Sequence, residues 1–329
     1  MPIYDATAEF FDGHTDSQVL PAGACILCGG RLTECKSQLF DTRFGVDGDY
    51  EVRRCLQCDL EQLSPVPTPT ELKILYESHY NFGGERGTLY TRLREWFFSS
   101  FLYRLWIRLD GDGAFHGRKG TGRLLDVGCN EGRGLKIYAR NGFQAEGLDL
   151  NERAAAVARG AGFTVYTCDL SEFESKTLYD VVVLSNVLEH SPDPRQMLLD
   201  VHRNLNPGGQ AWISCPNNRS WLRQVFGSSW INWHAPFHIA HFSAVTLRKL
   251  LRETGFKTTE IRQISPAHWA AGSLIARMFA KKGRPTRELR NPILVFAFLA
   301  VARFVFFPIL WLGNRAGRGD CLLVTAIKV

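Results

Sequence analysis

From residue 123 onward, short apolar runs alternate with amphipathic stretches in a regular order. Runs at 123–127, 144–148, 164–167, 181–186, 210–215 and 257–264 have strand length and aliphatic or β-branched content. Between them, 135–141, 153–161, 194–205 and 244–254 space their apolar residues three and four apart, which puts them on one face of a helix. Gly162 and Gly255, each followed by Phe, stand where a C-terminal glycine hands a helix over to a strand. The last nine residues, CLLVTAIKV, read as a further strand. Six strands in βα order plus this seventh predict an α/β fold built on a doubly wound sheet.

The flanking regions differ in texture and set the expected boundaries. Residues 1–66 form an N-terminal module that holds five of the nine cysteines. Residues 67–121 read as a helical linker or lid. The core is 122–265 together with 319–329, and 266–318 is a basic, then strongly apolar, helical insert. The 329 residues are 45% hydrophobic and 22% charged, which excludes disordered and collagen-like chains. Nine cysteines over this length are too sparse for a disulfide scaffold. MPIYDATAEFFDGHTDS lacks an apolar run of signal-peptide length, so the start reads as cytoplasmic. The net charge of +6 is local: between Arg277 and Arg318 nine basic residues face one acid, Glu288, which leaves −2 on the remaining chain. Basicity confined to one segment does not suit a nucleic-acid coat.

LLDVGCNEGRG at 124–134 carries the most chemistry. A buried strand runs into a glycine turn that opens onto a helix, and glycine lets the backbone come close to a ligand. Asp149 and Leu150 end the next strand, 21 residues after Gly128. A carboxylate there can accept both hydrogen bonds of a ribose diol. Asp169 and Leu170 follow the third strand, placed for an adenine amino group and ring. The spacing D-x-G-x-x-x-G-x-G differs from the G-x-G-x-x-G of dinucleotide folds, which leaves a nicotinamide oxidoreductase as the lesser alternative.

These residues resemble the first three motifs of class I S-adenosylmethionine-dependent methyltransferases. The resemblance covers about 123–265 and the last strand. It implies S-adenosyl-L-methionine as cofactor, held by Asp126, Gly128, Cys129 and Gly132, by Asp149 and Leu150, and by Asp169 and Leu170. NVLEHSPDP at 186–194 resembles the family's fourth-strand segment and places Asn186 beside the methyl donor. PGG at 207–209 resembles the turn before its fifth strand. The family also implies a Rossmann-like sheet of seven strands whose last strand is antiparallel and inserted between the fifth and sixth. Asn130 stands where the family often has Gly, a change that left-handed backbone tolerates.

CILC at 25–28 and CLQC at 55–58 enclose a 26-residue gap. Cys25, Cys28, Cys55 and Cys58 have the spacing of a structural zinc ribbon, with Cys35 a poorer substitute. Metal binding would supply most of the folding free energy of so small a module, on the order of 10–16 kcal/mol. From 25 to 66 five basic residues face seven acids, which argues against phosphate binding. Such a module before a methyltransferase core resembles bacterial sugar methyltransferases, although the large C-terminal domain of the sugar C-methyltransferases is not found in this chain. In that resemblance Tyr80 falls where a tyrosine covers the cofactor.

Methyl transfer to a hydroxyl calls for a positioned acceptor and a base. His190 follows the fourth strand, and His234, His238 and His241 lie in WHAPFHIAHFS, which resembles the family's substrate-side loop. His190 and His238 are the candidate bases. Ser243 is the expected cap of the following helix, with His241 the other candidate. Residues 293–312 are 20 long with one charge, Arg303, and Pro308 as a kink. Arg303 in mid-span costs about 2.5–3.5 kcal/mol, and the last strand must return to the core, so a single span does not fit. The basic flanks, with a second aromatic and basic stretch at 92–109, point to the inner membrane surface; packing of the two segments together or a dimer interface is the alternative. The sequence therefore predicts a cytoplasmic methyltransferase, peripheral at the inner membrane face, acting on a sugar hydroxyl of a small-molecule or lipid-linked cell-surface glycan acceptor, with a lipid-like aromatic or quinone precursor as the first alternative. A non-catalytic cofactor-binding scaffold is the third reading, and no nucleic acid is expected as partner.

Overall fold

Apolar residues run almost unbroken along the core strands because both faces of the sheet are covered. The computed structural model describes residues 23–34, 38–79 and 89–329. The N-terminal region contributes β1 (Gln38–Leu39), β2 (Tyr50–Arg54), β3 (Glu61–Ser64), α1 (Pro69–Ser78), α2 (Leu89–Ser99) and α3 (Phe101–Asp110). The core follows with β4 (Arg123–Val127), α4 (Arg133–Arg140), β5 (Gln144–Leu148), α5 (Glu152–Gly160), β6 (Val165–Tyr166) and β7 (Tyr179–Ser185). It continues through α6 (Pro194–Asn204), β8 (Leu205–Pro216), α7 (Trp221–Phe226), β9 (Ala240–His241), α8 (Ala244–Glu253) and β10 (Phe256–Ile264). The insert holds α9 (Ala267–Phe279), α10 (Pro292–Ala300) and α11 (Phe307–Arg315), and β11 (Cys321–Lys328) closes the chain.

The central sheet has seven strands in the order β10-β11-β8-β7-β4-β5-β6. Strands β8, β7, β4, β5 and β6 run parallel to one another. The last strand, β11, runs antiparallel between β8 and β10, as the resemblance implied. Successive residues of β7 face opposite ways: Val182 and Leu184 enter the core layer of α6 and α8, and Val181 and Val183 the layer with Phe115 and Trp212. Asn151, Asp193, Ser220 and Ser243 cap the helices that follow them. Ser243, not His241, therefore caps α8: His241 sits in β9, buried against the Trp233 ring at 5.1 Å.

The cysteine module shares its sheet and its core with the rest of the chain. A four-stranded antiparallel sheet runs β1-β2-β3-β9, so a strand from residues 240–241 completes it. Cys25, Leu27, Cys55, Cys58 and Leu60 belong to one apolar cluster with Val182, Leu184 and Leu250 of the core. Cys35 lies outside the described residues.

The insert packs its inner face on the loop between β8 and β9. Ala270, Ala271, Ala302 and Leu310 cluster with Trp230 and Trp233. Arg303 does not face outward: its guanidinium donates to the Leu109 carbonyl at 2.8 Å and lies 3.7 Å from the buried Asp110 carboxylate. No single helix among the described residues is long and apolar enough to cross a membrane; residues Pro292–Val305 and Phe307–Arg315 form a pair bent by 62°.

Asp320, immediately before β11, ties this layer together. Its buried carboxylate accepts hydrogen bonds from Ser220 Oγ at 2.6 Å, Trp230 Nε1 at 2.8 Å and Asn232 Nδ2 at 3.1 Å. Burial pushes its carboxyl up to about 6 against the opposing effect of those donors. Asp320→Ala leaves three buried donors without their acceptor, and each costs about 1–3 kcal/mol. The expected loss is about 3 kcal/mol or more, measured as a lowered urea midpoint; a loss below about 1 kcal/mol would show the network to be dispensable.

Candidate active site

The sheet reverses its winding between β4 and β7, the position where open α/β sheets take ligands at the carboxyl ends of their strands. The turn after β4 holds Gly128 at φ 72°, Asn130 at φ 51° and Gly132 at φ 74°. This left-handed backbone is the reason for glycine at 128 and 132, and Asn130 adopts it as well. A Cβ on Gly134 would stand 2.7 Å from Asp126 Oδ2, so glycine there lets α4 approach the buried carboxyl. The backbone N–H groups of Gly128 and Cys129 donate to the Leu148 carbonyl at 2.7 and 3.2 Å, which fastens the turn to β5.

Asp149 is held in place by the backbone. Its two carboxylate oxygens accept the backbone N–H of Asn130 at 2.7 Å and of Asn151 at 2.8 Å. Each oxygen keeps a further lone pair. Asp169 takes the backbone N–H and the hydroxyl of Ser171 at 2.9 and 2.6 Å. Leu150 and Asn186 are exposed at the same edge. Leu170 and Cys129 are not: both side chains are buried, Leu170 in the main core and Cys129 under Gly147, so they offer this edge their backbone only. Tyr80 lies outside the described residues. A cavity of about 580 Å³ lined by Arg118, Asp180 and Trp212 lies at the opposite, amino-terminal ends of β4, β7 and β8.

Beyond β7, Val187 abuts Gly128, and three residues later His190 enters a cluster of aromatic rings. His190 and His238 stack edge to face at 4.6 Å, and His234 and His238 at 4.7 Å. His190 Nδ1 lies 3.0 Å from the Phe237 carbonyl and 2.9 Å from the Tyr76 hydroxyl. His238 Nδ1 lies 2.8 Å from the Asn232 carbonyl. A carbonyl oxygen only accepts, so each Nδ1 carries the hydrogen and each Nε2 keeps its lone pair. Burial holds His190 down at about 4 and His238 well below the usual histidine range. Glu189, buried with both carboxyl oxygens lacking a hydrogen-bond partner among the described residues, is pushed up to about 8 by the same desolvation. Its Oε1 lies 3.9 Å from His238 Nε2. At neutral pH these imidazoles are neutral, and the nearby Arg43 guanidinium adds to burial in keeping them so.

The four cysteines of the two knuckles converge. Cys25 Sγ and Cys58 Sγ are 3.5 Å apart, as are Cys28 Sγ and Cys55 Sγ, and all four sulfurs lie within 4.8 Å of one another. Tetrahedral zinc with bonds of about 2.3 Å needs sulfurs about 3.8 Å apart, so this donor set fits. Backbone N–H groups of Leu27 and Gln57 point at Cys25 and Cys55 Sγ, each at 3.4 Å, an arrangement that favours thiolates.

A family model described as a methyltransferase domain matches residues 88–261, more than half of the chain. The chain belongs to that methyltransferase family. Its activity is S-adenosylmethionine-dependent methyl transfer of the class I type. The methyltransferase is 29% identical over 176 residues to the ubiquinone biosynthesis O-methyltransferase of Aeromonas salmonicida, covering 50% of this chain and 72% of that protein. With the protein of the same name from Pectobacterium atrosepticum it shares 34% over 119 residues, 33% of this chain and 49% of the other. Against most such relatives the match thus spans about half of their length. Among solved structures, the 1,6-didemethyltoxoflavin-N1-methyltransferase of Burkholderia thailandensis gives 18% identity and a TM-score of 0.45, covering 86% of this chain and 97% of that one. A methyltransferase from Archaeoglobus fulgidus gives 22% and 0.45, covering 73% and 100%.

Two groups of candidate site residues thus lie at the carboxyl ends of the strands: the glycine turn with Asp149 and Asp169, and the histidine cluster after β7. The structure brings His190 and His238, the two bases the sequence proposes, into ring contact; the sequence did not point to Tyr76 or to the Phe44 ring, which stands 5.3 Å from Phe237 and 5.6 Å from His234. Tyr76 is 114 residues from His190, and no local pattern marks that contact.

Asp126 yields a pH prediction. Burial, helped by the Asp149 charge, raises its carboxyl to about 7, against about 3.9 in an unfolded chain. Between those values the folded state keeps a proton that the unfolded state has lost, so stability falls as pH rises from about 4 to about 7. The limiting slope is about 1.4 kcal/mol per pH unit. Asp126→Asn cannot titrate, so its stability relative to wild type should improve by more than about 1 kcal/mol between pH 4.5 and 7.5 in urea unfolding. Parallel pH curves for the two proteins would contradict the assignment.

Proposed function

We propose that this methyltransferase methylates a hydroxyl of an amphiphilic, lipid-borne acceptor that enters over His190 and His238. The observation that carries this reading is the pair of neutral imidazoles, each with Nδ1–H directed to a backbone carbonyl and a lone pair at Nε2, beside the cofactor edge. S-adenosylmethionine supplies a methyl group on a sulfonium, open to in-line displacement. Asp149 receives the ribose diol, Asp169 the adenine amino group, and the backbone from Gly128 to Gly132 lies along the methionine part. Leu150, Asn186 and the backbone of Cys129 and Leu170 complete that edge. His190 or His238 takes the acceptor proton at Nε2; because both are held neutral by burial, neither must first lose a proton at pH 7.

Two acceptor chemistries are supported. The names of the relatives favour an aromatic hydroxyl of a ubiquinone-type precursor, and the half-buried rings of Tyr76, against His190, and Phe44, against His234, suit a planar acceptor. The N-terminal cysteine module favours the sugar hydroxyl of a lipid-linked glycan through its resemblance to sugar methyltransferases. In this reading the enzyme works in the cytoplasm at the inner membrane face, where a lipid-borne acceptor of either kind would be met.

Calorimetric titration with S-adenosylmethionine separates these ideas from a mere scaffold. Wild type should bind it, Asp149→Ala should weaken binding by at least about tenfold through lost diol hydrogen bonds, and His190→Ala should leave binding intact. Labelled methyl transfer to prenylated catechols and to lipid-linked glycan fractions should then fall by about 10²–10⁴ in whichever histidine variant removes the base. Cofactor binding without turnover on either acceptor class would leave the scaffold reading.

We further propose that Cys25, Cys28, Cys55 and Cys58 hold one structural zinc ion whose closed thiolate shell supplies stability and no catalytic position. Elemental analysis should give one zinc per chain. Cys55→Ser or strong chelation should lower the melting temperature, and metal-free protein with an unchanged melting curve would refute the role.

A further inference from the structure

We propose that the outer faces of α3 and of the bent pair α10–α11 form one docking surface for an anionic lipid bilayer. The two faces meet at Arg303, whose side chain binds the Leu109 carbonyl at the end of α3. On the insert, Phe296, Phe304 and Trp311 point to solvent, with Phe304 80% exposed. On α3, Phe101, Leu105 and Leu109 do the same, with Phe101 74% exposed. Aromatic and aliphatic groups left outside on this scale mark an interaction site.

The inner face of the insert is already used. Ala302 and Leu310 are buried with Trp230 and Trp233, with Phe298, Leu299 and Phe306 packed against them, so the exposed set is a second face rather than an unfolded core. Between α10 and α11 the chain makes a wide π-type turn at Val301–Val305 and bends by 62°. That geometry gives a wedge and not a span. The chain must also return to pair β11 between β8 and β10, which requires both ends of the insert on one side of the bilayer.

Charge selects the occupant. The segment from Arg277 to Arg318 carries nine basic residues and one acid, and Arg104, Arg108, Arg287 and Arg315 are exposed around the apolar faces. Arg315 folds back over the Trp311 ring at 4.1 Å, placing a cation at the rim of an apolar patch, where headgroups lie above acyl chains. A two-fold self-contact would set the same excess of positive charge against itself, which disfavours a second copy. Arg303 does not count among these cations, because it is turned inward to Asp110.

The docking goes beyond the acceptor reading and is scored without any acceptor. Full-length, zinc-loaded protein is floated with vesicles of phosphatidylcholine containing 30 mol%, roughly a cytoplasmic-leaflet charge density, of phosphatidylglycerol, and with phosphatidylcholine alone. Wild type should float with the anionic vesicles, less so at high salt. Phe304→Glu with Trp311→Glu, and separately Phe101→Glu with Leu105→Glu, should each lower the partition coefficient by at least about tenfold. Melting temperature and S-adenosylmethionine binding serve as fold controls for both variants. Wild type that stays in the bottom fraction with both vesicle types, or folded variants that float unchanged, would overturn the proposal. A stable dimer in sedimentation that either double variant dissociates would overturn it as well, assigning the surface to self-association. Loss of cofactor binding with flotation intact would instead count against the function proposed above and leave this surface standing.

Discussion

The position of β11 constrains the rest of the molecule. Its eight residues pair antiparallel with β8 on one side and β10 on the other, so everything between β10 and β11 has to depart from and return to the same edge of the sheet. The insert can then only fold back over the domain, and it does so onto the loop that carries the histidines. Asp320 completes the coupling, since the residue before β11 anchors Trp230 and Asn232 of that loop. The Asn232 carbonyl in turn orients His238. One strand pairing thus sets both the outward apolar surface and the tautomer of a candidate base.

Desolvation dominates the electrostatics of the site. Asp126 and Glu189 are pushed up to about 7 and about 8, and His190 is held at about 4. A buried group avoids the charged form when no partner compensates it, so acids keep protons and imidazoles lose them. The result is a set of neutral imidazoles, with the Arg43 guanidinium close enough to oppose their protonation, and a carboxylate, Asp149, that is already held by two backbone donors. Such an interior suits a cationic cofactor and a neutral acceptor better than a second charged reactant.

The cysteine module acts on the site through shared structure. Strand β3 pairs with β9, the Leu63 N–H donates to the Ile239 carbonyl at 2.9 Å, and Arg43 donates to the Ile231 carbonyl at 3.0 Å. Tightening four thiolates on a metal would therefore stiffen the histidine loop from behind. The small module, with little core of its own, is stabilised in return by the apolar cluster it joins.

The local pattern of the chain was enough to specify the core strands and helices, the order of the glycine turn and its two carboxylates, and the two cysteine knuckles. Each depends on short-range rules: periodicity, turn chemistry and ligand spacing. The antiparallel β11 came from family resemblance, since spacing alone carries no strand direction. Only tertiary structure decided that Leu170 and Cys129 point inward, that Tyr76 and Phe44 line the histidine cluster, and that Arg303 turns to Asp110. Those outcomes depend on contacts between residues far apart in the chain, and on which side of an element faces its neighbour. Sequence determined what chemistry was present and in what order; packing decided which of those groups stand together, because burial and long-range pairing are properties of the assembled sheet and not of any segment in it.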